Sequence, residues 1–595
     1  MAETWNYLSS VSVSMTGDFT ATYWTNQRVK FVQNTTTKYF VIYSVTYSAP
    51  NTIIVLTPLA GSVVENLAIT DHQISWFAAP RGFPNSSAIG SGGRGAYSAI
   101  IYISGGNIIA EYPNGTVISS GTAGTADATI LQAAMAVCSD NELIAIACNV
   151  ILSTTITRSG WVNFEGVNGG GFTFVGADGY MSFSGAGTWE LRNLKIIANG
   201  SSSQYLISGH TSVLKVTGCE FTAINTPTVY GYIENKSGCH LIVTNNVFTG
   251  LFGSADYAHG VVTCRDSSIV SNNVVTTCKL SFVLINEGTE YVVSDNLIVD
   301  FCPHVTGLGF GAIECYPNGG DITNFAITGN TIRWTTNPAN TGACGIVCNS
   351  ADNHNIYYGT ISGNLIKADT YFATSHLGDG IDIEENNGNV PTGISITGNT
   401  LDHCGSGILA NGTKCNVVGN TILNCVYMAG MVCGSLGANN FSYNIIENYY
   451  HTAPGGDGDY GAITANYSYN MIHGNIIRDT NNLTAYCIQE DVSGDYSSIE
   501  FNDVRNVGAA VASKIVLAGS HSHVKFNEGH VTENTGSSTG TGASQTLAHG
   551  LVGTPKSATI TPTVASAAIT YLYANASSIV VTVTSGKAYT WAGSI

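Results

Sequence analysis

The chain has 595 residues, with 21 Lys+Arg against 39 Asp+Glu and a net charge of −18. Charged residues make up only 10%, where an ordinary soluble domain carries roughly 25%. Gly is abundant at 68 and apolar residues reach 44%, which excludes a coiled coil, a helical bundle, a disordered chain and a basic nucleic-acid binder.

The opening Met1-Ala2-Glu3-Thr4-Trp5 has neither a basic nor an apolar leader region, so no secretory signal is expected. No apolar run is long enough to span a bilayer, so membrane insertion is not expected either. The 15 Cys form no CxxC pairs, which argues against a disulfide scaffold or a zinc site. Residues 1–80 alternate like antiparallel strands around Lys30-Phe31-Val32, Tyr39–Val45 and Asn51–Leu56, with Ser48-Ala49-Pro50-Asn51 as a turn. Residues 81–123 hold a Gly-rich linker and a hairpin made of 99–103 and 107–112. Asp127 then reads as the N-cap of an amphipathic helix, Ala128-Thr129-Ile130-Leu131-Gln132-Ala133-Ala134. A helix there is suited to cover the open end of a solenoid.

From 124 to 535 one short pattern recurs: a small or polar residue, Asn, any residue, then an apolar one. It begins with Asn193 and runs through Asn246, Asn273, Asn296, Asn330, Asn364, Asn399, Asn420, Asn444, Asn475 and Asn502 to Asn527, with Cys219 once in the Asn place. Apolar residues before each Asn alternate with period two, and a second strand, often opened by Gly, follows. Two or three short strands per 21–35 residues, with no helical crossover, describe one rung of a parallel β-helix. The recurring Asn is expected in a left-handed turn, bonded to its copies on neighbouring rungs. Cys278, Cys404 and Cys425 each follow a ladder Asn by five residues, and Cys264, Cys315, Cys348 and Cys433 share the inward place of the next strand. These thiols read as small core residues. Residues 536–595 return to antiparallel strands, ending in Ile579–Val583 and Ala588–Trp591.

The fold class is therefore all-β: a parallel β-helix with a capping helix, flanked by small antiparallel β domains. That domain order resembles a bacteriophage (or archaeal virus) tailspike of the pectate-lyase-like, right-handed β-helix class. Thr16-Gly17-Asp18-Phe19-Thr20 and Tyr47-Ser48-Ala49-Pro50-Asn51-Thr52 are similar to modules of tail fibre proteins. Thr541-Gly542-Ala543-Ser544-Gln545-Thr546-Leu547-Ala548-His549-Gly550 resembles terminal domains of phage fibres. The resemblance implies a virion location, attachment to tail or baseplate proteins through 1–80, and a homotrimer held through 536–595. It also implies a host surface polysaccharide as partner, with no nucleic acid.

Cleavage has to be argued from side chains, because fold alone does not decide function. Aligning the Gly-opened strands puts Glu314, Val347 and Asp382 in one outward column and Tyr316, Asn349 and Glu384 in the next. Glu314, Asp382 and Glu384 are the candidate catalytic residues of a glycoside hydrolase, with Trp334, Tyr316, Tyr357, Tyr358 and Asp379 as candidate sugar contacts. Three alternatives stay open: a spike that only binds glycan, a polysaccharide lyase, and acids that merely solvate an exposed face. No metal ligand set or cofactor emerges; Ca²⁺ at Gly378-Asp379-Gly380-Ile381-Asp382 or at Asp457 and Asp459 is the one exception kept. Asp457, Asp459 and Glu490 are the fallback carboxylates, and Tyr371-Phe372, Tyr449-Tyr450 and Tyr460 are further aromatic candidates.

Overall fold

The computed structural model describes residues 4–23, 27–59, 62–75, 97–113, 115–158, 160–200, 202–210, 212–224, 229–251, 260–301, 310–335, 343–350, 353–369, 378–425, 431–433, 437–448, 461–479, 486–491, 494–505, 514–518, 521–548, 551–552, 555–566, 568–575 and 577–595. They fall into two compact units, 1–197 and 198–595.

The first unit opens with a six-stranded antiparallel sheet. Its long central pair, Thr36–Ser48 and Asn51–Leu59, meets at the expected turn. Trp5, Val13, Phe31, Phe40, Ile42 and Ile54 form its own core. The hairpin is Ala99–Ser104 with Asn107–Glu111, and a third strand, Val117–Thr122, extends it. The one helix among the described residues is Asp127–Val137, burying Ile130, Leu131, Ala134 and Met135. Asp127 is not its N-cap: Ala126 holds that place without a side-chain cap. The buried Asp127 carboxylate instead accepts the N–H groups of Gly124 (2.6 Å) and Ile151 (2.8 Å), tying the helix to the first rung. That rung is Glu142–Ile146, Asn149–Leu152 and Ile156–Arg158. Each strand pairs in parallel with its counterpart one repeat later.

The second unit is built from three stacks of short parallel strands. One rung shows the plan: Gly288–Ser294 in the first stack, Leu297–Phe301 in the second, Phe310–Cys315 in the third. Alternate residues turn inward, so Ile298, Ile332, Ile366, Leu401 and Ile422 lie fully buried above one another. Cys264, Cys278, Cys315, Cys348, Cys404 and Cys425 join this core as free, buried thiols. Burial disfavours the thiolate and pushes Cys264 and Cys278 up to about 12. The side chain of Cys433, the remaining core cysteine expected, lies outside the described residues.

The ladder corrects the expected turn by one residue. The stacked Asn is buried, and the left-handed residue is the one before it. Asn245, Asn272 and Asp295 have φ of 58°, 56° and 55°, and Gly329, Gly363, Gly398 and Gly419 follow with φ of 62–66°. By the same rule Asn193 (φ 55°) is the exposed turn residue and the buried Leu194 follows it. Asn399 shows the bonding: its Oδ1 accepts the N–H (3.0 Å) and Nδ2 (2.9 Å) of Asn364. Its own Nδ2 donates to the Ile361 carbonyl (2.9 Å) and to Asn420 Oδ1 (2.9 Å). Asn439 and Asn470 start a second, shorter ladder where the chain enters the first stack.

Near the C-terminal end of the solenoid the left-handed places change character. Tyr443 (φ 56°), Phe501 (φ 57°) and Phe526 (φ 56°) precede ladder Asn residues, and Tyr469 (φ 68°) and Tyr496 (φ 56°) occupy the equivalent place of the second ladder. A left-handed backbone costs a bulky L-residue about 1–2 kcal/mol. A stacked aromatic pair returns about 0.5–1.5 kcal/mol, so stability alone gives no preference for aromatics over the Gly, Asn and Asp used elsewhere.

The C-terminal strands form two three-stranded antiparallel sheets around Ile579, Val581, Val583, Tyr589 and Trp591. Glu533–Thr539, which crosses the expected boundary between the β-helix and the C-terminal strands, is an edge strand paired along the whole of Ala588–Ser594.

Candidate carboxylate site

The candidate acids are fixed by the register of the third stack. Glu314 pairs with Val347, Val347 with Asp382, and Asn349 with Glu384. Glu314 and Asp382 thus lie two rungs apart in one column, their backbones roughly 9–10 Å from each other. Gly380, just before the Asp382 strand, lets the second stack come close: a Cβ there would lie 2.0 Å from Leu401 Cδ2.

The outward column is nevertheless covered. Glu314 is 4% and Asp382 7% exposed. The Ser281 hydroxyl donates to Glu314 Oε2 at 2.6 Å. Burial pushes the Glu314 carboxyl up to about 8, against the Ser281 bond and with help from the Glu384 charge. Asp382 is driven well above the carboxylate range by burial, then by the charges of Asp379 and Glu384. Its Oδ1 is buried without a hydrogen-bond partner among the described residues. Glu384, only partly buried, accepts Asn349 Nδ2 at 2.9 Å and is raised by burial and by Asp379. Asp379 accepts the Ser406 N–H at 3.2 Å. Four carboxyls therefore crowd one face, where burial and mutual repulsion raise Glu314, Asp382 and Glu384 above the ordinary carboxylate range.

The thiol of Cys344 completes a group with Asp379 and Asp382, their ligand atoms all within 4.8 Å. Ca²⁺ takes six to eight oxygens, and a thiol is a poor partner for so hard a cation. This donor set does not fit the Ca²⁺ site entertained from the sequence, and the face is read as proton-sharing carboxyls.

The aromatic expectations fare unevenly. Trp334 is a correction: it is 1% exposed and its Nε1 donates to the Phe301 carbonyl at 2.8 Å, so the indole belongs to the core. Tyr316 is half-buried directly after the Glu314 strand, its N–H bonded to the Ile285 carbonyl. Tyr357 and Tyr358 lie with their rings 6.1 Å apart, but Ile356–Tyr357 belongs to the first stack, not to the carboxylate stack. Glu490 pairs with Ala465 in the inward column, is buried, and accepts the Ser522 hydroxyl at 2.5 Å. Asp457, Asp459, Tyr371, Phe372, Tyr449, Tyr450 and Tyr460 lie outside the described residues. Sequence reasoning missed Ser281 and Ser406, whose small polar side chains carry no signal in so Ser-rich a chain.

No protein-family model matches this sequence, and no curated protein matches it. Among solved structures, the chain is similar to a tailspike protein mutant of E. coli bacteriophage HK620 in complex with a pentasaccharide. The identity is 14%, the TM-score 0.47, and 81% of this chain and 92% of that one are covered. It is also similar to the Dettilon tailspike protein at 14% identity and a TM-score of 0.36, covering 78% and 90%. The tailspike of Pseudomonas phage phi297 is similar at 11% identity and a TM-score of 0.35, covering 100% and 81%. Each of these three structures is a phage tailspike.

Proposed function

We propose that the chain is a virion tailspike that binds a host surface polysaccharide and cleaves it by glycoside hydrolysis at Glu314, Asp382 and Glu384. The observation that carries the cleavage is the group of buried, mutually raised carboxyls Glu314, Asp382 and Glu384 in two adjoining columns of the third stack. Glu314, raised to about 8, holds its proton at neutral pH and delivers it to the glycosidic oxygen as the C–O bond breaks. Glu384, the least buried of the three and steered by Asn349, takes a proton from the water whose oxygen adds to the sugar carbon. Asp382 lies in the Glu314 column and on the Glu384 strand, and its unpartnered oxygen is free to share a proton with either. The acid and base strands lie two rungs apart, which leaves room between Glu314 and Glu384 for that water, as an inverting hydrolase requires.

The virion reading is supported by the domain order and by the end segments that resemble fibre modules. On it the protein is a tail component, a homotrimer, with its N-terminal β domain facing tail or baseplate proteins. The burial of Glu314 and Asp382 favours one second reading, a spike that binds glycan without cutting it. Incubating the protein with host capsule or lipopolysaccharide separates them. New reducing ends that vanish in Glu314→Gln support hydrolysis, unsaturated uronates indicate a lyase, and retention without products leaves binding alone.

A further inference from the structure

The last rungs of the first stack carry two exposed aromatic columns with a polar strip between them. Tyr469 and Tyr496 stack at 5.3 Å, and Tyr496 stacks on His521 at 4.5 Å. On the other side Tyr443 meets His473 at 5.5 Å, His473 meets Phe501 at 5.0 Å, and Phe501 stacks on Phe526 at 5.1 Å. The five Tyr and Phe rings are 49–65% exposed. Tyr443, Phe501 and Phe526 stand on left-handed backbone that Gly, Asn or Asp occupies in most other rungs of their ladder, and Tyr469 and Tyr496 on the left-handed place held by Lys414 and Ala438 in the rungs before. Strained backbone and exposed apolar surface together mark a surface kept for contact, and the stacking return has already been shown not to justify either.

The strip between the columns comes from strands Met471–His473, Ser498–Glu500 and His523–Lys525, which pair in register. Tyr496 and Phe501 bracket one such strand, so the columns stand roughly 16 Å apart at about 3.3 Å per residue. His473, Ser498, Glu500 and His523 line the floor as hydrogen-bonding groups. Its acids are engaged locally, Glu500 by the Lys525 ammonium at 3.5 Å and Asp495 by a hydrogen bond with His521 Nδ1 at 2.7 Å. A surface with its charges paired locally does not select a charged ligand. A subunit interface would instead deplete its centre of such residues.

We infer that this trough is a carbohydrate-binding site, separate from the carboxylate cluster, for an uncharged hydroxyl-rich polysaccharide laid along the solenoid axis. Sugars offer what the lining asks for: apolar C–H edges against ring edges, and hydroxyls that both donate and accept over an imidazole, hydroxyl and carboxylate floor. The rung repeat of about 4.8 Å is close to the length of one sugar unit, so successive rungs meet successive sugars in the same way.

The test uses the full chain and a panel of immobilised bacterial O-antigen and capsular polysaccharides. The variants Tyr469→Asn/Tyr496→Asn and Phe501→Asn keep a residue suited to the left-handed backbone, so folding is preserved and checked by melting. On the polysaccharide the parent retains, each is expected to raise Kd at least tenfold, while Tyr43→Ala, which removes an exposed ring of the N-terminal sheet, leaves Kd unchanged. Unchanged retention by the aromatic variants overturns the site. So does a parent that retains no polysaccharide, and so does a shift of the aromatic variants to a smaller sedimenting species, which makes the face a contact between copies. Loss of cleavage in Glu314→Gln tests the carboxylate reading alone and leaves this one standing.

Discussion

The Asn ladder and the carboxylate face lie on the same rungs and treat polar atoms in opposite ways. In the ladder the side-chain oxygen and both amide hydrogens of Asn399 are engaged, and its neighbours Asn364 and Asn420 repeat the pattern. On the carboxylate face, Asp382 Oδ1, Asn349 Oδ1 and Ser406 Oγ are buried without hydrogen-bond partners among the described residues, and carboxyls crowd together. A satisfied buried network specifies a fold, whereas an unsatisfied one destabilises it and persists where something else is gained. The difference separates structure from chemistry within one repeat.

The contrast can be broken by substitution. Asn399→Ala strands the Asn364 N–H and takes the Asn399 amide from the Ile361 carbonyl, while Asn420 Oδ1 keeps the backbone N–H of residue 399. At about 1–3 kcal/mol per unpaired group it is expected to cost on the order of 2–6 kcal/mol, read as a lower melting temperature or loss of soluble protein. Unchanged melting would move the ladder from structure to function. Glu314→Gln, by contrast, should fold normally while hydrolysis falls by about 10²–10⁴-fold, the usual contribution of a general acid; reducing-end assays with the variant measure it.

A pH titration sharpens the comparison. Glu314 goes from 4.5 as a free side chain to about 8 when folded, so between those values the folded chain holds more protons than the unfolded one. Stability is then fullest at the acid end and falls as pH rises through that window, levelling off above it. Glu314→Gln should make the fall shallower in denaturant melts at stepped pH, and Asn399→Ala should leave its slope as it was. The smallest effect is expected from Tyr357→Ala, which removes a ring from a different stack and should leave turnover as in the parent.

Much of this was legible beforehand because a solenoid writes its geometry as a period. The column of Glu314, Val347 and Asp382 followed from aligning Gly-opened strands, and the paired register agrees with it. The ladder was legible too, but its turn was placed one residue late, since Asn is suited both to left-handed turns and to stacking. Only the run Gly329, Gly363, Gly398, Gly419 distinguishes the two places. Trp334 was misplaced because the sequence shows a long connection after it and says nothing of which way its indole points. The raised acidity of the carboxyls depends on what covers the column, and period-two alternation holds no record of that.

The amide chain has two ends with different chemistry. It opens at Cys219, whose N–H reaches Asn246 Oδ1 but whose thiol passes nothing on in kind. It closes at Asn527, whose Nδ2 is spent on the Ile499 and Lys525 carbonyls. Between those ends every link joins one Asn to the next across 21 to 35 residues, and the sequence between them is not consulted. Such a molecule can be edited only in whole steps. Excising 400–420 would rejoin Asn399 to Asn444 with the chain of amides intact, while removing half of that stretch would cut it. The rung, rather than the residue, is the unit in which this surface can be lengthened, shortened or exchanged.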